Sequence, residues 1–181
     1  VLISFILFSD KYFFGRDDGG CVMTHFSHVG EKGKARMVDI TAKKVTHREA
    51  LARGKVLTKP ATTKRIEEMT LAKGDVLSVA RTAGILAAKK TWALIPLCHP
   101  IELTDIDIDF TIRPDQGEID ITARAKTAGR TGVEMEAMTA VSVAALTIYD
   151  MCKSADREIV ISDIKLLKKK GGKSGTFRRK G

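Results

Sequence analysis

Asp105-Ile106-Asp107-Ile108-Asp109-Phe110-Thr111-Ile112-Arg113, then Pro114-Asp115-Gln116-Gly117, then Glu118-Ile119-Asp120-Ile121-Thr122-Ala123-Arg124-Ala125 alternates apolar and polar residues on both sides of a short interruption. A strand points successive side chains to opposite faces. Ile106, Ile108, Phe110 and Ile112 therefore share one face, as do Ile119, Ile121, Ala123 and Ala125. Proline supplies a fixed φ and glycine a free one, so the four residues between form a turn for a physical reason. The stretch reads as an antiparallel hairpin with one buried face.

Outward from this hairpin the periodicity changes. Val133 to Ser154 is long, rich in alanine and helical in pattern. Met138, Val141, Ala145, Ile148 and Cys152 fall on one side and are expected to face the sheet. Glu136, Thr139, Val143, Thr147 and Asp150 line the other side, where small residues allow another element to approach closely. Ile159-Val160-Ile161 and Ile164 to Leu167 close the chain as one or two strands. Upstream, Asp75 caps a helix from Val76 to about Lys90, with Val79, Ala83, Leu86 and Ala87 at helical spacing. Before it, Pro60 is placed to start a helix that Gly74 stops. Thr46-His47-Arg48-Glu49 has the pattern of a capping box, which predicts a short helix closed by Gly54, with Lys55-Val56-Leu57 briefly extended. A hairpin, long helices and late strands define an α+β fold, its helices packed on one face of an antiparallel sheet.

With 181 residues, the chain suits one compact domain. Its 44% hydrophobic and 29% charged content is that of an ordinary globular protein, but the formal net charge of +9 is not. Such an excess points to an anionic partner: nucleic acid, a phosphorylated metabolite or a membrane surface. The longest apolar run, Leu2 to Phe8, is too short to span a bilayer and lacks the flanks of a signal peptide. Three cysteines without a Cys-x-x-Cys pair argue against a disulfide scaffold and for a reducing, cytoplasmic setting. Residues 1–22 differ in character from the rest and are expected to be an extension ahead of a native start at Met23. Residues 23–170 then form the domain, and residues 171–181 a basic, mobile tail. Mass spectrometry of the protein from its natural host, finding an N-terminus upstream of Met23, would overturn that start.

Candidate chemistry concentrates in two blocks. Leu94-Ile95-Pro96-Leu97-Cys98-His99-Pro100 holds His99 on a stiff, proline-bounded connector, which suits proton transfer better than His25, His28 or His47 do. Cys98 reads as a buried thiol rather than a nucleophile. Asp150 and Lys153 stand three apart on a helix, in surroundings apolar enough to predict a buried acid beside a lysine, fit for acid–base work. Gly171-Gly172-Lys173-Ser174-Gly175 is not a P-loop: the required glycine is Leu167 and no helix follows. No histidine stands at helical spacing from Glu134 and Glu136, and Cys98-His99 has no second ligand pair, so no metal site is expected. Aromatic residues are only 6% of the chain, which disfavours base stacking and with it a nucleic-acid module, the competing class.

These residues carry a resemblance. Met37-Val38-Asp39, Lys73-Gly74-Asp75-Val76, Ala80 to Ile85, Leu94 to Pro100, Thr131 to Ala137, Ala145 to Lys153 and Lys170 to Gly175, in this order, are similar to the MoaC family of cyclic pyranopterin monophosphate synthases. The similarity runs from about Met23 to Phe177. It implies a ferredoxin-like subunit, dimers assembled into a homohexamer, and a site at a subunit interface. The implied reaction converts 3′,8-cyclo-7,8-dihydro-GTP to cyclic pyranopterin monophosphate with loss of pyrophosphate, without a cofactor. The family's substrate-contacting segments fall on Leu97, Cys98 and His99 and on Met135 and Glu136, its catalytic aspartate on Asp150, and its site lysines on Lys73, Lys89, Lys153 and Lys169. Moving protons and expelling pyrophosphate would give His99, Asp150 and Lys153 acid–base duties, and would set Lys73, Lys89 and Lys169 on phosphate.

Overall fold

The computed structural model describes residues 12–17, 20–25 and 34–180. The chain divides into two compact units, Val1–Ile40 and Thr41–Gly181. In the first, β1 (Tyr12–Asp17) and β2 (Gly20–His25) pair antiparallel, from Tyr12 opposite His25 to Asp17 opposite Gly20. The expected start at Met23 falls inside β2, and His28 lies outside the described residues.

The second unit is built on β3 (Thr46–Leu57), which runs down the middle of a five-stranded sheet. Thr46 to Gly54 is strand, not the short helix that its capping pattern predicts. Ala50, Ala52, Gly54 and Val56 are all buried with exposed or half-buried residues between them, the period of a strand. β3 pairs along its whole length with β5 (Glu118–Gly129) and on its other edge with β6 (Val160–Lys170). A capping box contributes about 1 kcal/mol, too little to set against a full ladder with β5, a second with β6 from Glu49 onward, and a buried face. Gly54 does not stop a helix. It admits α4, since a Cβ there would lie 2.5 Å from Val141 Cγ1.

After β3 come α1 (Pro60–Glu67), α2 (Val76–Lys89) and a single turn, α3 (Thr91–Leu94). Pro60 starts α1 as expected, but the helix ends at Glu67 rather than at Gly74. The chain reverses through Met69 (φ 53°), which lets Leu71 drop into the core. Asp75 caps α2 as its sequence predicts, accepting from the Ser78 N–H at 3.0 Å. The hairpin that decided the fold is present residue for residue: β4 (Asp105–Arg113) pairs with β5 through Ile106 opposite Ala125 and Ile112 opposite Ile119. Its turn is one 3₁₀ turn, Pro114–Gln116, closed by Gly117 at φ 64°. Then α4 (Glu134–Cys152) crosses the sheet and leads into β6.

With the short β7 (Phe177–Arg178), the strands lie in the order β4-β5-β3-β6-β7, each antiparallel to its neighbour, with β4 on the open edge. Setting β7 aside, this is a split β-α-β arrangement, α+β and ferredoxin-like as the resemblance implies. Residues 171–178 do not trail away as a tail. They turn back so that Phe177 pairs with Lys169, and the Arg179 N–H donates to Leu167 O at 2.8 Å.

The core lies between the sheet and its helices: Ala137, Ala140, Val141, Ala144, Ala145 and Ile148 of α4 are fully buried, as are Ala50, Ala52, Ile119, Ile121 and Ala123 of the sheet. α4 is long and apolar enough to cross a membrane, but half of it is buried inside this fold as its central helix. α2 packs against α4, closest where Gly84 meets Ala140 and Ala144 rather than on the stripe of Thr139, Val143 and Thr147. Asp156, 2% exposed, ties the loop after α4 to the start of α1. It accepts from the backbone N–H of Lys59 (2.8 Å) and of Glu158 (3.1 Å).

The α2–α4 contact is tight at Gly84. A Cβ added there would stand 2.6 Å from Ile108 Cδ1 and 2.8 Å from Ala140 O. Gly84→Ala is therefore expected to lower stability by about 1–3 kcal/mol despite the better helix propensity of alanine. A urea titration should show a lower midpoint at unchanged slope.

Candidate active site

The sequence-predicted site residues gather at two ends of one helix. At the C-terminal end of α4, Asp150 meets two lysines. Lys153 Nζ lies 2.7 Å from Oδ1, while Lys73 Nζ lies 3.3 Å from Oδ2 and donates to the Asp150 carbonyl at 2.8 Å. A carboxylate in the last turn of a helix faces the negative end of the dipole and is misplaced by that rule. The two ammonium groups compensate it. They hold the Asp150 carboxyl below its ordinary range, the Lys153 hydrogen bond first and that of Lys73 second, and Asp150 in turn raises Lys153. The expectation of a buried pair is corrected: the Asp150 and Lys153 side chains are 60% and 52% exposed. The apolar neighbours Met151, Cys152 and Ile148 point into the core, on the other side of the helix.

At the N-terminal end the environment is reversed. Glu136 is 3% exposed, and its Oε2 has no hydrogen-bond partner. Burial pushes its carboxyl from an ordinary 4.5 to about 7. A hydrogen bond to its own backbone works against this and the charge of Glu134 adds to it. Burial first, and the nearby Glu136 charge second, raise the Cys98 thiol, which is half-buried rather than the buried thiol expected. Leu97, Cys98 and His99 sit half-buried on the connector between α3 and β4, where the Cys98 N–H closes a turn onto Ile95 O at 3.0 Å. That connector is pinned to β5 by Thr127, whose hydroxyl donates to Glu102 O at 2.6 Å. Met135 is 37% exposed beside Glu136. Lys89 ends α2 on the connector side, exposed. Lys169 stands near the end of β6, its ammonium on the Ser174 hydroxyl.

The structure thus joins Lys73, Asp150 and Lys153 in one cluster. It brings Cys98 near Glu136 at the other end, with Leu97 and His99 beside Cys98 in the chain and Met135 beside Glu136. Fourteen residues of helix separate Glu136 from Asp150, about 21 Å at 1.5 Å per residue. One chain does not bring the two together. Sequence reasoning missed Arg48, whose guanidinium bonds the backbone at Gly129 and Arg130, because the helix assigned to residues 46–54 hid the sheet face it stands on. Among the described residues no group of three or more His, Cys, Asp and Glu side chains is placed to hold a metal ion.

An α+β subunit with a lysine-clamped carboxylate and a buried, proton-holding one has the equipment of an acid–base enzyme. The family is shown by comparison: the MoaC family model matches residues 37–172, and the chain belongs to that family. It is 57% identical over 157 residues to a Heliobacterium modesticaldum protein named cyclic pyranopterin monophosphate synthase, covering 87% of this chain and 99% of that one. Proteins of the same name from Clostridium acetobutylicum and Brevibacillus brevis are 56% and 55% identical, over 86% and 84% of this chain and 97% and 95% of theirs.

The Glu136 environment makes a stability prediction. Its folded carboxyl titrates above its unfolded value, so between about pH 4.5 and 7 the folded state binds more protons than the unfolded one and stability falls as pH rises. Glu136→Gln removes that loss. The variant is expected to gain stability over the parent progressively across this window and to show no such gain below pH 4, as read by chemical denaturation at several pH values.

Proposed function

We propose that this protein is a cyclic pyranopterin monophosphate synthase, a lyase that converts 3′,8-cyclo-7,8-dihydro-GTP to cyclic pyranopterin monophosphate and pyrophosphate in molybdenum cofactor biosynthesis. The observation that carries the reading is the Asp150 carboxylate held between Lys73 and Lys153, in a chain that matches synthases of that name over nearly their whole length.

The rearrangement opens one ring, closes another and forms a cyclic phosphate, so it needs groups that take and give protons. Asp150, kept ionised by its two lysines, is the base. Lys153, bonded to it, is the acid that shares its proton. Glu136, poised near neutrality by burial, and His99 on its stiff connector serve the second half of the site. Leu97, Cys98 and Met135 contact the substrate's ring system. Lys89 and Lys169 hold the phosphates, and Lys73 serves both Asp150 and the triphosphate, stabilising the pyrophosphate as it leaves.

The separation of the two clusters, about 21 Å along α4, supports a site completed by two subunits. Lys73, Asp150 and Lys153 of one would face the connector and the α4 N-terminus of another. A homohexamer made of dimers accommodates this, and the exposed Val79, Leu86, Trp92 and Leu94 supply apolar surface for contacts between subunits. The unpaired thiols Cys98 and Cys152 suit the cytoplasm.

The deciding assay mixes purified protein with 3′,8-cyclo-7,8-dihydro-GTP and follows both products by mass spectrometry; silence from a folded oligomer would remove the reading. Asp150→Asn is expected to bind substrate normally and lose about 10²–10⁴-fold in kcat. Co-expression of Asp150→Asn with Glu136→Ala chains should restore roughly a quarter of the wild-type activity, because half of the random dimers carry one intact site. Activity no higher than that of either variant alone would place the whole site in one chain. Lys73→Ala should weaken binding. It should also move the acidic limb of kcat/KM to higher pH, since one of the two cations holding Asp150 down is gone.

A further inference from the structure

Arg48 stands on β3 on the same face as Ala50 and Ala52, the face toward the helices. Its Nε donates to Gly129 O at 3.0 Å and its Nη2 to Arg130 O at 3.2 Å. Gly129 is the last residue of β5 and Arg130 the first of the loop that carries the chain into α4, where Met135 and Glu136 stand in the first turn. The other edge of the same guanidinium lies against the turn that follows Lys169. A Cβ added at Gly172 would overlap Arg48 Nη1, and one at Gly171 would overlap the His47 carbonyl. Those glycines have φ of 75° and 98°, so the turn excludes side chains by conformation as well as by space.

We propose that Arg48 is a positioning residue of the active site: its fork holds the β5–α4 loop against the Gly171–Gly172 turn and so sets the spacing between Met135–Glu136 and Lys169. This rests on the assignment of those residues to one substrate in the preceding section. A planar guanidinium can bond two carbonyls and stack its free edge on a turn at once. A lysine carries the same charge but cannot span all three. Because reacting groups displaced by about 1 Å lose up to about 10²-fold in rate, such a bracket acts on kcat without touching substrate.

The test uses full-length Arg48→Lys, Arg48→Gln and Gly172→Ala, together with Arg48→Ala alone and combined with Gly172→Ala. Steady-state kinetics are measured beside substrate-free hydrogen exchange of segments 129–136 and 170–175. Arg48→Lys and Arg48→Gln are each expected to lower kcat about 10–100-fold with little change in KM. Exchange should rise in both segments together. Gly172→Ala should reproduce the loss by displacing an arginine that is still present. In the Arg48→Ala background the same change should add less than about a two-fold loss, because the group it strikes is absent.

Wild-type kcat in Arg48→Lys with a raised KM in Arg48→Gln would overturn the proposal in favour of a charge contact with substrate. Unchanged exchange in both segments of the Arg48 variants would overturn it as well. So would full additivity in the double variant, by reducing Gly172→Ala to backbone strain. Failure of the wild-type protein to turn substrate over counts against the synthase reading instead, and the exchange experiment still decides whether Arg48 joins the two segments.

Discussion

A nineteen-residue helix packed along a sheet cannot bring its own ends together, and α4 is such a helix. It packs on β3, β5 and β6 and against α2. Met135, Glu136 and Asp150 stand on this rod, and the other side chains with proposed roles lie toward one of its ends. The acids of its first turn, the lysine-clamped aspartate of its last turn, the lysine loop ahead of α2 and the connector after α3 are distributed to one end or the other. The packing that makes the subunit stable is the packing that keeps the two halves of the chemistry apart.

The same constraint produces two carboxylates of opposite character. Glu136 enters the core with one oxygen unbonded, and burial outweighs the favourable helix N-terminus, so it holds its proton to about pH 7. Asp150 sits where the helix dipole disfavours it, yet two ammonium groups keep it ionised. A pair of acids driven apart in this way is the usual arrangement where one group must give a proton and another take it. Neither state follows from residue type. Both follow from which face of α4 the residue occupies and what lies beyond it.

The hairpin, the course of α2 and the faces of α4 were legible because each is a local pattern that tertiary packing reinforces. Strict alternation from Ile106 to Ala125 is a strand wherever it is buried on one face, and Asp75 caps whatever helix follows it. The first strand was not legible. Thr46 to Glu49 has a good helix start, and only the presence of two neighbouring strands, one more than sixty residues and the other more than a hundred residues away in sequence, makes it the centre of the sheet. The turn after Lys169 was hidden for a related reason: its glycines fit against β3, and their partner cannot be seen from Gly171-Gly172 alone. As for the site, the residue types were visible but their exposure was not. Asp150 stands among apolar neighbours in sequence, yet Ile148, Met151 and Cys152 point inward and it points out.

The open edge of the sheet carries a further consequence. Along β4, Asp105, Asp107 and Asp109 share one face beside the unpaired edge, and the first two answer to Lys126 and Arg124 on β5. Two copies meeting edge to edge, antiparallel, would set carboxylates against carboxylates and gain no cation in exchange. The alternation that builds the hairpin therefore also disfavours pairing of this edge with the same edge of a second copy.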